Sequence, residues 1–315
     1  MTTPADATRS GDEDTAANAT APAKTVSPVT VVAPKKSKSP YGQALNFIRS
    51  HGAPTRIGQL GRWTVAVCPM TIGLSTELDR LVSGRVVDDA QRVGAPWPRA
   101  RARRCRPNVE IVFTAEPQKV MDFIAEKRGA YLGYHYASQT REFETVKYPI
   151  QAWYLTATRG AAGGASLDIA AGAANVQGSS LGAALNTSGV GGTPGGCAGS
   201  HFTQCLSSEF VNVLVLVDGN RVNGQTIGPV ADYVAMLALA KVASIDDCAD
   251  LPSILDLLST KCGDRPKPRA LTQTDIAYLA GLYSMDLKNL FWLQRDSVAD
   301  RMTQDKSAAK AGASP

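Results

Sequence analysis

The hydrophobic pattern changes period in the C-terminal third of the chain, and the remaining elements are arranged around that change. VNVLVLVD (211–218) is apolar on both of its alternating faces, which predicts a strand covered on both sides of a sheet. After the turn GNRVNGQTIG comes PVADYVAMLALAKV (229–242), apolar nearly all round at Val230, Tyr233, Val234, Met236, Leu237, Leu239 and Val242. Such a profile predicts a buried helix. Its charges, Asp232 in the first turn and Lys241 in the last, stand where the helix dipole favours each sign, so Asp232 reads first as structural. Past a loop bounded by Cys248 and Cys262, LTQTDIAYLAGLY (271–283) opens a second helix. Thr272 and Asp275 form its capping box, and Leu271 is placed to staple onto Ile276. Ile276, Leu279, Leu282 and Tyr283 give that helix its apolar face.

Upstream, Ser39 caps a helix with Pro40 at its first position and Leu45, Phe47 and Ile48 facing the core. It ends at His51-Gly52, where an imidazole suits the negative end of the dipole. WTVAV (63–67) predicts a strand, and the box of Thr76 and Asp79 opens a helix over 76–93 that Gly94 closes. VEIVFT (109–114) predicts a buried strand, and Pro117 opens a helix to Arg128 that Gly129 ends. Residues 131–136 read as a short strand and IQAWYLTAT (150–158) as a stronger one. This order predicts an α/β (α+β) fold, a mixed twisted sheet with helices packed on it.

Residues 1–39 are rich in Ala, Thr, Pro, Ser and Lys and too poor in large apolar groups to offset ordering entropy, which predicts a disordered tail. VTVVA (29–33) is its one candidate for docking. A single domain is expected over 40–302, with a second disordered tail at 303–315. The domain carries an insertion at 159–200 that holds twelve of the chain's 28 glycines at no fixed period.

With 44% hydrophobic and 19% charged residues, the 315-residue chain reads as globular. No apolar run reaches the roughly 20 residues that span a bilayer, and the N-terminus has no apolar core of a signal peptide. The net charge of +5 is partly local, because five arginines (Arg99, Arg101, Arg103, Arg104 and Arg106) crowd one proline-bracketed loop. That loop reads first as solvated and second as a weak contact for anionic membrane or polymer. It belongs to no nucleic-acid module, so a nucleic-acid partner is not expected.

The six cysteines fall into neighbouring pairs, Cys68/Cys105, Cys197/Cys205 and Cys248/Cys262, without a C-x-x-C. Six cysteines allow fifteen connectivities, and this is the simplest. Disulfides imply an oxidising compartment, hence a periplasmic or secreted protein. The alternative is six thiols in a cytosolic protein.

Candidate chemistry is thin. No phosphate-binding G-x-x-x-x-G-K-[ST] and no G-x-S-x-G elbow occurs. Cys205 lies four residues from His201, but pairing with Cys197 removes its thiolate. The chain has three histidines, His51, His135 and His201, in unrelated contexts.

The succession of buried helix, L-P-S-I-L-D and A-L-T-Q-T-D-I-A-Y-L-A-G-L-Y resembles the end of matrixin-type zinc metallopeptidases, whose H-E-x-x-H helix precedes a methionine-containing turn and a further helix. It also resembles proteobacterial envelope proteins that share this ending. The resemblance covers about 209–285. Aligning the leucines places Ala231 and Ala235 where the family has its first two zinc histidines, and Asp232 where it has its general-base glutamate. Alanine cannot ligate a metal, and a catalytic zinc needs three protein ligands. The resemblance therefore implies a zincin-like frame without its metal, hence no cofactor, acting as a binding or structural module of the cell envelope on a protein or peptide ligand. Two alternatives stand beside it. One is a hydrolase with a site near helix 229–242 using His135 or His201; the other is an anion-binding protein using the arginine loop.

Overall fold

The apolar run that peaks at 211–218 takes the middle of the sheet, because only a central strand buries both faces. The computed structural model describes residues 39–98, 105–134, 136–160, 165–168, 201 and 206–311. Its strands are β1 (Pro69–Ile72), β2 (Val109–Thr114), β3 (Ile150–Gly160), β4 (Ala165–Leu167) and β5 (Leu206–Asp218). They form one five-stranded sheet in the order β1-β2-β5-β3-β4. β1, β2 and β5 run parallel, while β3 lies antiparallel to both β5 and β4. The helices are α1 (Pro40–His51), α2 (Thr76–Arg92), α3 (Pro117–Arg128), α4 (Thr140–Phe143), α5 (Ile227–Leu239), α6 (Gln273–Ser284) and α7 (Phe291–Ala311). The expected mixed α/β architecture is present.

The two sides of the sheet are covered unequally. Val213, Val215 and Val217 of β5 point into a large core shared with α1, α2, α5, α6 and α7. Leu214 and Leu216 point the other way, into a small cluster with Met121 of α3, Leu132 and Trp153. On that second side Met70 and Ile72 of β1 and Phe123 of α3 are exposed.

Three local expectations are corrected. Residues 63–67 are not a strand: Val65 is exposed, while Trp63 and Val67 are buried, so the alternation records side-on docking. The strand starts only at Pro69, where the register with Val109 begins. The described residues of 131–136 form no strand either; a 3-10 turn (Gly129–Leu132) ends at Gly133, whose φ is +67°. A Cβ at Gly133 would lie 1.9 Å from the Tyr154 carbonyl oxygen, so the chain can lie against β3 there only as glycine. The N-cap of α2 is Ser75, not Thr76; the Ser75 hydroxyl accepts from the Leu78 amide, and Asp79 accepts from the Leu74 amide instead. At the other end of the chain α7 runs past residue 302, held by buried Val298, Ala299 and Met302.

Candidate functional site

A helix made almost wholly of apolar residues must be enclosed, and its buried termini must then find partners for their backbone groups. α5 meets both demands. Pro229 through Leu239 are all buried, and Ala231 and Ala235 have no exposed surface. Three aromatic side chains from three other segments donate to its C-terminal carbonyls. Trp63 Nε1 donates to the Ala238 oxygen at 2.8 Å, Tyr283 to Leu239 at 2.8 Å, and Tyr154 to Leu237 at 2.8 Å and Ala240 at 3.0 Å. Burial pushes the Tyr154 and Tyr283 phenols far up, so both remain donors. The helix ends at Leu239, earlier than the sequence predicts. Lys241 therefore lies beyond it and donates to the Pro54 oxygen, with its ammonium brought down to about 8 by burial.

Asp232 is 1% exposed and fully engaged. Its carboxylate receives Arg85 Nε at Oδ1, with Arg85 Nη2 at 3.1 Å and the Leu271 amide at 2.9 Å on Oδ2. One side chain thus joins α5 to α2 and to the residue that precedes α6. Asp232 is structural, as its place in the first turn predicts, and an ion pair across two helices is the fuller reason. One turn along α2, Asp89 is buried with its Oδ2 lacking a partner among the described residues. Burial first, and the Asp232 charge second, push its carboxyl up to about 7. Arg85 and Asp89 stand four residues apart and both face α5. That spacing marks a polar face on α2 but does not identify the carboxylate it meets.

Beside the seam lies a groove of about 410 Å³ bordered by Arg80, Arg85, Asp88 and the first turn of α5. A smaller pocket of about 150 Å³ sits between β3 and residues 242–245. Neither reaches Ala231 or Ala235.

A second polar centre occupies the loop ahead of α6. The Ser253 hydroxyl donates to Asp275 Oδ1 at 2.6 Å, and Asp275 Oδ2 receives the Ile254 and Thr272 amides, each at 2.8 Å, so one buried aspartate closes the loop onto α6. The predicted capping box of Thr272 and Asp275 is present. Asp256 is likewise 1% exposed. Its Oδ2 accepts from Arg265 Nη1 at 3.0 Å and from the Ser253 amide at 3.2 Å.

The remaining predicted residues separate. Cys68 pairs with Cys105 and Cys248 with Cys262, as the spacing suggests. Cys197, Cys205, His135, Arg99, Arg101, Arg103 and Arg104 lie outside the described residues, and Arg106 is exposed. His201 is exposed, whereas His51 is sealed in the core. The expectation of a charge-favoured His51 at the end of α1 is corrected. Desolvation lowers its pKa, its Nδ1 faces the Ser244 oxygen at 3.2 Å, and its ring packs edge-on against Phe47. No helix among the described residues is long and apolar enough to cross a membrane.

No protein-family model, curated protein or solved structure matches the chain.

Proposed function

We propose that this protein is a non-catalytic, zincin-like module of the bacterial cell envelope that acts by binding or as a structural element. The observation that carries the reading is the closure of α5. The positions that correspond to metal ligands, Ala231 and Ala235, are enclosed methyl groups. The position that corresponds to the general base, Asp232, is consumed by Arg85 and the Leu271 amide. A general base needs a free oxygen within reach of a reacting proton, and a catalytic metal needs an open position. Two disulfides support an oxidising compartment.

The test uses the oxidised full-length chain, so that no thiol competes for metal. Metal content is measured by mass spectrometry, and a mixed peptide library is assayed for cleavage with and without added Zn²⁺. The expected result is substoichiometric metal and no cleavage. Stoichiometric zinc that a chelator removes together with peptidase activity would refute the proposal.

A further inference from the structure

The oxygen that Asp256 leaves over points to a site at Cys248 and Cys262. Among the described residues the only polar atom recorded against Asp256 Oδ1 is Cys262 Sγ, at 3.2 Å. In the disulfide that sulfur carries no proton, so a buried carboxylate oxygen faces an atom that cannot donate to it. A buried acceptor without a donor is costly, and a redox role or a bound ion is among the reasons a protein retains one. Reduction supplies the donor. As a thiol Cys262 donates to Oδ1; as a thiolate it shares a cation with it.

The ligand atoms of Cys248, Asp256 and Cys262 all lie within 4.8 Å of one another. Thiolate and carboxylate bonds to zinc of about 2.3 and 2.1 Å place such ligands roughly 3.5 Å apart in a tetrahedron, within reach of small side-chain rotations. Neither cysteine is buried, so reductant and ion can enter. Charge also fits: two thiolates and a carboxylate around a divalent ion leave one negative charge, and Arg265 already sits on Asp256 Oδ2. Lys267 holds the loop closed through the Asp256 and Ser259 carbonyls, at 2.8 and 2.5 Å, independently of the cysteines.

We propose that the dithiol form of Cys248 and Cys262, together with Asp256, is a redox-gated site for a thiophilic divalent cation of the zinc type. Opening it consumes a dithiol reductant. Two electrons and two protons pass to the Cys248 and Cys262 sulfurs, and the reductant leaves as its own disulfide. The incoming cation then displaces both thiol protons to solvent. Three protein ligands leave a fourth position for water. Two sulfurs and one oxygen select zinc or cobalt over magnesium or calcium.

The experiment titrates Co²⁺ into the full-length chain, oxidised and phosphine-reduced, without oxygen, beside Cys248→Ser/Cys262→Ser treated identically. The reduced chain is expected to develop a thiolate-to-cobalt charge-transfer band saturating at one ion more than the double variant, with no band before reduction. Asp256→Asn is expected to weaken that step about tenfold or more while keeping the two-sulfur band. Zn²⁺ is also expected to protect Cys248 and Cys262 from alkylation in the wild-type chain, which reads the site without any variant. Identical titrations of wild type and double variant, or alkylation of both cysteines unslowed by Zn²⁺, would overturn the proposal. Unchanged affinity in a folded Asp256→Asn would remove the carboxylate from it.

Discussion

Asp232 and Asp256 are each 1% exposed, and each is paired with an arginine that reaches solvent, Arg85 and Arg265. Each also accepts one backbone amide. They differ in the remaining oxygen. Asp232 has donors on both oxygens and joins α2 and α5 to Leu271, so neither oxygen lacks a donor. Asp256 sits in a loop closed by a covalent bond that can be opened, and among the described residues one of its oxygens faces only sulfur. Burial and charge alone do not separate a structural carboxylate from a chemically available one; the count of donors on each oxygen does.

The strongest challenge to this contrast is to put two imidazoles into α5. Ala231→His/Ala235→His is expected to overpack an enclosed core at about 1–3 kcal/mol per site and to gain no zinc, read by denaturant unfolding and metal content. A folded variant that binds one zinc would show that α5 is open after all. Next, Arg85→Ala strands the Asp232 carboxylate and is expected to cost about 3–5 kcal/mol. Arg265→Ala should cost less, because the Lys267 ammonium remains on the same residue's carbonyl. Equal losses in urea melts would erase the distinction.

The disulfides give a finer comparison. Their sequence separations are 37 for Cys68–Cys105 and 14 for Cys248–Cys262. Loop-closure entropy then predicts losses of about 4 and about 3 kcal/mol for the paired serine variants, measured by the same melts.

The last effect is in pH. Folded Asp89 holds its proton up to about 7, whereas in the unfolded chain it titrates near its ordinary 3.8. The folded state therefore binds more protons between these values, and stability falls as pH rises through that window. Asp89→Asn should flatten the decline in melting temperature between about pH 4 and 7. Some slope persists, because Asp275 is also raised, to about 6, by burial. His51 acts oppositely. Its lowered pKa means that the unfolded chain takes up a proton below about 6.5 that the folded chain refuses, so His51→Gln should flatten the acid side.

Much of the frame was legible because it rests on period and punctuation. The two-sided apolar run became the central strand, Pro117 and Gly129 bracketed α3, and Thr272 with Asp275 capped α6. The polar seams were not legible, because Arg85 and Asp232 lie 147 positions apart and meet only once the sheet brings α2 over α5. Asp256 carries no signal of its own in the sequence; its meaning depends on which sulfur its second oxygen faces. Trp63 misled for a related reason: its anchor is a hydrogen bond to Ala238 across 175 positions, and strand periodicity contains no trace of it.

The three aromatic donors on the end of α5 have a mechanical consequence. A rod whose last turn is tethered from three directions can neither rotate nor slide without breaking these four hydrogen bonds, so it behaves as a fixed axle. Any movement near it must pass through the loops around it. The amides of α5 should then exchange with deuterium only when the whole molecule opens, later than those of any surface segment.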